Sequence, residues 1–186
     1  MKRLFIAIKI QPDPALIELV NSLKRKLIDD QINWVNINQL HLTFKFIGET
    51  EEKSVIVIQQ AMIEAVRGFQ PISLLFDKTG IFGSSYDPRV IWVGPKQTNP
   101  EVIHLGDSLI RELDLIGFPR DRQNFVPHLT LGRIKTIHDK AGFQAVLKAV
   151  PEQIFQKSEI SEIILFESIL RREGPLYKEL FKVPLT

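Results

Sequence analysis

Cysteine is absent from this chain, which excludes disulfide cross-links and thiolate chemistry and fits a reducing compartment. No apolar run approaches the roughly 20 residues of a membrane-spanning helix. The apolar opening from Leu4 is short and is interrupted by Lys9, so it falls short of a signal-peptide core too. Neither charge is in excess. The 24 Lys and Arg stand against 22 Asp and Glu, too even a balance for a protein held to nucleic acid by bulk charge. Any contact with RNA should then be local, at an end or a single nucleotide. The chain has no Gly-x-x-x-x-Gly-Lys phosphate loop, and none of its four histidines has a partner at the i, i+4 spacing of a zinc site. With no membrane segment and no metal or cofactor motif, a cytoplasmic protein is expected. Its 186 residues, 44% of them hydrophobic, suffice for a well-buried core.

What the chain does contain is one short phrase said twice. Gln39-Leu40-His41-Leu42-Thr43-Phe44-Lys45-Phe46 returns as Val126-Pro127-His128-Leu129-Thr130-Leu131. Each copy has the period-two alternation of a strand, in which residues i and i+2 share a face. His41 and Thr43 then stand together, opposed by Leu42 and Phe44, and His128 and Thr130 are opposed by Leu129 and Leu131. A single His-x-Thr is an ordinary strand with a polar face. Two His-Leu-Thr copies drawn from four histidines and seven threonines arise by chance on the order of once in a hundred such chains.

The surroundings of the two copies also match. Strand, helix, His strand, helix and strand follow one another in each half. Leu4 to Ile10 opens the first half; Asp13-Pro14 caps a helix to about Asp29. Residues 32–38 read as a connection, Gly48 ends the first His strand, and Thr50-Glu51-Glu52 opens a helix with Val55, Ile58, Met62 and Ala65/Val66 inward. Ile72 to Phe76 is a strand, and Gly80, Gly83, Ser84 and Ser85 mark a loop before a strand at Val90. Asn99-Pro100 repeats the cap, and Gly117 stops that helix. After the second His strand, a helix from Asp139 to Val150 should turn Ala141, Ala145/Val146 and Ala149 inward. Ile160 to Ile169 and Tyr177 to Val183 close the chain around a Glu173-Gly174-Pro175 turn. Pro14 and Pro100 are 86 positions apart, and His41 and His128 are 87. The expectation is one α+β domain over residues 1–186, made of two pseudo-symmetric halves, roughly 1–86 and 87–186. Each half is an antiparallel-rich sheet with outer helices, and the cleft between the sheets holds the paired motifs.

Two histidines on opposite sides of a phosphate can run an in-line displacement, one taking a proton from water and the other giving one to the leaving oxygen. An imidazole pKa of about 6.5 lets both protonation states coexist near neutrality. Threonine hydroxyls can donate to the oxygens on which charge accumulates. These residues resemble the 2H phosphoesterase superfamily, and most of all its RNA 2′,3′-cyclic phosphodiesterases, historically called 2′-5′ RNA ligases. The resemblance extends over Arg3-Leu4-Phe5-Ile6-Ala7, Phe46-Ile47-Gly48-Glu49, Arg89 to Gly94, Gly117-Phe118, Phe125 to Arg133, Leu165 to Ser168 and Gly174-Pro175 with Tyr177. It implies hydrolysis of a 2′,3′-cyclic phosphate to a 2′-phosphate without metal or cofactor, acting on RNA 3′ ends or nucleoside 2′,3′-cyclic phosphates. It also implies His41 as proton donor and His128 as proton acceptor, with Thr43, Thr130, Lys45, Phe46 and Arg133 on the substrate. Many relatives carry Arg at the position of Lys45 and Ala at that of Gly132. By alternation Lys45 should share the face of Thr43, whereas Phe46 and Arg133 should turn away unless a bulge or strand end intervenes. Ligation by the reverse reaction and a non-catalytic nucleotide-binding module are the rival readings, and a monomer is the expected state.

Overall fold

The run Leu4-Phe5-Ile6-Ala7-Ile8 is apolar without alternation because it lies at the centre of a sheet covered on both faces. Leu4, Ile6 and Ile8 join the main core under the helices, while Phe5 and Ala7 pack with Ile164 and Phe166 on the other side. The computed structural model describes residues 1–120, 125–172 and 174–186. In chain order it contains β1 (Lys2–Lys9), α1 (Pro14–Lys26), β2 (Gln31–Trp34), β3 (His41–Thr50), α2 (Val55–Ala65), β4 (Ile72–Phe76) and β5 (Lys78–Gly83). There follow β6 (Pro88–Gly94), α3 (Pro100–Leu115), β7 (Leu129–Thr136), α4 (Lys140–Lys148), β8 (Gln156–Ile160), β9 (Glu162–Arg171) and β10 (Gly174–Pro184). All pairings among the described residues are antiparallel.

The large sheet runs β10-β9-β1-β3-β7-β6-β5, with β2 also on β7. It is two sheets joined at one point. β3 and β7 meet only through Leu42 and Leu129, each the residue after its motif histidine. Equivalent residues opposite one another in an antiparallel pair are what a two-fold axis through that pair produces. The small β4–β8 sheet pairs Leu74 with Ser158, which are 84 positions apart, close to the spacing of the two histidines. In the same ladder Ile72 pairs with Ile160, 88 positions on, so each half contributes one strand to this sheet as well.

The helices supply one outer layer. Leu16 and Leu23 of α1, Ile58 and Met62 of α2, Leu105 and Leu109 of α3 and Phe143 of α4 all enter the core that backs the sheets. Each such fully buried side chain contributes about 1.5–3 kcal/mol. Asn99 and Asp139 cap α3 and α4 by accepting from the Glu101 and Ala141 amides. Gly117 ends α3 at a φ of 93°, a conformation that side chains with a Cβ disfavour. Asp13 holds the N-cap position of α1, but its side chain makes no bond to that helix's amides. Its carboxylate accepts from the Lys157 amide at 2.9 Å, and its own amide donates to the buried Gln156 side chain at 2.7 Å, pinning the helix start to β8.

Several boundaries differ from the sequence reading. Within residues 32–38, the expected connection, the chain completes strand β2. The Gly80 and Gly83 segment is β5, not a loop. Gly48 does not end β3, which runs on to Thr50, so Thr50 caps nothing and α2 starts after a short 3-10 turn. β8 is a strand separate from β9. In α4 the alanines at 141, 145 and 149 are exposed, because Phe143 with Val146, Leu147 and Val150 offers a larger apolar face at the same helical spacing. Glu173 of the expected last turn lies outside the described residues.

Gly132 faces β2 so closely that an added Cβ would stand 2.7 Å from Ile32 Cγ2 and 3.1 Å from Trp34 Cε3. Gly132→Ala should therefore lower stability by about 1–3 kcal/mol through overpacking. Trimming the neighbour as well, in Gly132→Ala/Ile32→Ala, should make the two losses less than additive. Urea denaturation midpoints of the four proteins check this.

Candidate active site

β3 and β7 each carry an extra residue against a neighbouring strand just after the motif, and β3 carries a second one further on, at Ile47. Against β1, Thr43 pairs with Ala7 and Lys45 with Ile6, leaving Phe44 bulged. Against β6, Thr130 pairs with Trp92 and Gly132 with Ile91, leaving Leu131 bulged. Both bulges fall three positions after the motif histidine. An extra residue reverses the face of everything beyond it, so Phe46 and Arg133 return to the cleft beside His41, Thr43, His128 and Thr130. These six side chains line a cleft of about 300 Å³.

Lys45 does not join them. The bulge that brings Phe46 into the cleft turns Lys45 to the opposite face, where it is 4% exposed and donates from Nζ to the Pro119 carbonyl at 2.8 Å. The expected substrate contact is thus replaced by an internal one that ties β3 to the chain following α3. Gly132 occupies the corresponding place on β7, and its missing side chain admits Ile32 and Trp34 of β2.

The histidines are held alike. His41 Nδ1 lies 2.8 Å from the Gln39 carbonyl and His128 Nδ1 lies 2.7 Å from the Val126 carbonyl. A carbonyl only accepts, so each Nδ1 carries the hydrogen and each Nε2 is left to exchange protons in the cleft. The carbonyl under His128 is itself anchored. Phe125 stacks on Phe44 at 5.2 Å and fills the space over α3 that a Cβ at Gly106 would occupy.

Aromatic rings wall both imidazoles. Tyr177 meets His41 edge-on at 5.0 Å and Phe5 lies 5.2 Å from it, while Phe82 meets His128 edge-on at 4.6 Å. Burial in these walls pushes both imidazoles below their ordinary value. The carbonyl bonds oppose that shift, and the Arg133 guanidinium adds to it at both sites. The His128 charge also lowers His41, so the two rings feel one another. Burial raises the Tyr177 phenol, against the pull of Arg133 and Arg3, which keeps it a hydrogen-bond donor near neutrality.

Tyr177, Phe82 and Val35 are lining residues that the motif reading did not single out. Tyr177 reaches His41 only because β10 and β9 lie beside β1. Phe82 sits on the strand read as a loop. His104 and His138 are exposed and outside the cleft. Tyr86 and Arg89 line a separate hollow with Lys135 and Lys140. Among the described residues, no three His, Asp or Glu side chains come together as metal ligands, and no helix is long and apolar enough to cross a membrane.

Two His-x-Thr strands meeting across a two-fold axis, with their free imidazole nitrogens in one cleft, define a two-histidine phosphoesterase. The chain belongs to the LigT-like phosphoesterase family, whose description matches it twice, over residues 8–92 and 93–177. It is 31% identical to an Archaeoglobus fulgidus protein named RNA 2′,3′-cyclic phosphodiesterase, over 96% of this chain and 97% of the relative. A Thermotoga maritima protein of the same name is 30% identical over 97% and 94%. Among solved structures, E. coli LigT complexed with 3′-AMP superposes with a TM-score of 0.76 at 26% identity, covering 100% of this chain and 98% of that one. A Thermus thermophilus crystal structure gives 0.75 at 26% identity, over 98% and 97%.

An anion in the cleft should restore the lowered imidazole pKa values, so its binding takes up protons. Sulfate, which does not titrate near neutrality, should bind more tightly as pH falls from about 8 to about 5.5. Calorimetry in two buffers of different ionisation enthalpy should show net proton uptake. Affinity independent of pH would contradict the electrostatics described.

Proposed function

We propose that this protein hydrolyses the 2′,3′-cyclic phosphate at an RNA end to a 2′-phosphate, using its two histidines as acid and base. The observation that carries the reading is the mirrored pair of Nδ1-to-carbonyl bonds, which leaves two Nε2 atoms available in one cleft. Relatives similar along nearly the whole chain carry this activity in their names, and the complex of E. coli LigT with 3′-AMP supports a nucleotide-sized cleft. The doubled family match supports one catalytic domain built from two halves.

In this reaction water adds to phosphorus and gives a proton to His128 Nε2, while the P–O3′ bond breaks and His41 Nε2 gives its proton to the departing O3′. The 2′ oxygen keeps the phosphate. The two rings end with their protonation exchanged and are reset through solvent. Thr43 and Thr130 donate to the non-bridging oxygens, and Arg133 offsets the developing charge. Phe46, 59% exposed on the cleft face, supplies a flat surface for the terminal base. Ligation to a 5′-hydroxyl would run the same steps backwards, and dilute water favours hydrolysis. Intact acid, base and hydroxyls favour turnover over simple nucleotide holding.

An oligoribonucleotide ending in a 2′,3′-cyclic phosphate, incubated with the protein and EDTA, should yield the 2′-phosphate isomer. Recovery of the 3′-phosphate instead would reverse the roles of the two ribose oxygens. His41→Ala and His128→Ala should each lower kcat by about 10²–10⁴. Only the His41 variant should recover when the leaving group is an acidic phenol that departs without a proton. Equal recovery in both variants would refute the division into acid and base.

The pH profile gives a second test. The base must be neutral and the acid protonated, so kcat/KM falls on both sides of an optimum set by the free protein. Because both imidazoles lie below 6.5 there, that optimum should fall on the acid side of 6.5. The optimum for kcat should lie higher, since the bound phosphate raises both groups.

A further inference from the structure

Three hollows meet at Arg133 and Tyr177. The catalytic cleft of about 300 Å³ is one. A second, of about 430 Å³, is lined by Phe5, Phe46, Pro175 and Arg3 beyond the shared residues. A third, of about 530 Å³, lies between β2 and the start of β10, with Asn33, Trp34, Asn36 and Arg171 in its walls. Arg133 and Tyr177 line all three. The terminal ribose of an RNA likewise has three substituents: the base on C1′, the cyclic phosphate across C2′ and C3′, and the rest of the strand on C5′.

We infer that the third hollow is the subsite for the phosphodiester on the 5′ side of the terminal nucleotide, with Arg171 holding that phosphate and Trp34 available to stack the next base. The inference rests on the hydrolase reading above, which puts the cyclic phosphate between His41 and His128. The other two assignments follow from chemistry. The second hollow carries the exposed Phe46 ring with Phe5 and Pro175, suited to a base. Beyond the shared Arg133, the third carries the Arg171 guanidinium, three side-chain amides and an indole, suited to a phosphate followed by a base.

Charge supports the path. The chain has 22 Asp and Glu, yet no carboxylate appears among the described residues lining the three hollows. Elsewhere on the surface lysines and arginines pair freely, as in Lys2–Glu167, Lys96–Glu152 and Lys182–Glu179. Arg3, Arg133 and Arg171 form no ion pair among the described residues. Three such guanidiniums around one junction make a local anion path in a protein whose net charge is only +2. That path would let a protein without bulk charge prefer a strand end over a lone nucleotide.

The test compares a nucleoside 2′,3′-cyclic monophosphate with a dinucleotide and a trinucleotide ending in the same cyclic phosphate. The unaltered protein should use the dinucleotide with a kcat/KM about tenfold or more above the mononucleotide, as one charge-assisted phosphate contact provides. Arg171→Ala should bring that ratio back toward one, Arg171→Lys should restore part of it, and Arg3→Ala should leave the ratio high. Trp34→Ala should lower kcat/KM for the dinucleotide and the trinucleotide alike and leave that for the mononucleotide nearly unchanged. Binding of product dinucleotide to the unaltered protein should also depend more steeply on salt than binding of the mononucleotide, by roughly 0.7 in the logarithmic slope. That extra slope should vanish in Arg171→Ala, which a merely structural role would not cause. Equal use of mononucleotide and dinucleotide by the unaltered protein, or a selective effect at Arg3 in place of Arg171, overturns the subsite and leaves the hydrolase reading standing. If no cyclic phosphate is opened and no product binds, both fall together.

Discussion

β3 and β7 pair as strands through one residue pair, Leu42 with Leu129, and the shape of the cleft depends on that pairing being so brief. Had the two strands paired along their length, the motif histidines would sit side by side on one continuous sheet with no space for a substrate. They part at once, and β2 takes the vacated edge of β7. Val35, just beyond β2, donates its amide to the Leu131 carbonyl at 2.9 Å, so the bulge on β7 keeps a main-chain partner where β3 has left. The backbone groups that separation would otherwise strand are paired again, as a buried sheet edge requires. The opening is therefore compatible with a satisfied sheet.

The bulges then decide which side chains the opening receives. In a strand without them, His41, Thr43 and Lys45 would share one face, and Phe46 would lie beneath. One extra residue at Phe44 exchanges the last two, and the extra residue at Leu131 does the same for Gly132 and Arg133. The four-residue step from histidine leads inward, and the five-residue step leads to the cleft. Anything at the inward position must fit a packed interior. Lys45 does so with its ammonium on a carbonyl, and Gly132 by having no side chain. The departures from the family pattern at these two positions thus lie on the packing side of the strands, away from the reacting atoms.

How much of this was legible follows from where each piece of information resides. The two His-Leu-Thr phrases and the matched order of elements are local, and they pointed to the duplicated architecture and the paired imidazoles. That Phe46 and Arg133 need a bulge to reach the cleft could be stated from alternation alone. That the same bulge must take Lys45 away was not drawn from it, because a bulge appears only in the register with a neighbouring strand. β5 was missed because Gly80 reads as a turn residue. Its real task is to lie under Trp92, whose ring would stand 2.2 Å from a Cβ there. β2, with its four residues, has too short a pattern to register. Tyr177 lies 136 positions from His41 and reaches it through sheet order, which no local pattern encodes.

A two-fold scaffold is an apt frame for in-line displacement, since the entering and leaving oxygens sit on opposite sides of phosphorus and each needs one proton-exchanging group. Symmetry alone, however, would let either histidine serve as either group. The asymmetry must come from how the substrate lies, and the cleft breaks its own symmetry at the equivalent positions Phe46 and Arg133. One offers a flat apolar face and the other a guanidinium. A ribose whose base rests on the first and whose charged oxygens turn to the second has one orientation, and with it one oxygen toward His41 and one face of phosphorus toward His128. In the proposed reaction, then, the two histidines supply the chemistry in common, and the pair five residues further along decides which of them is acid and which is base.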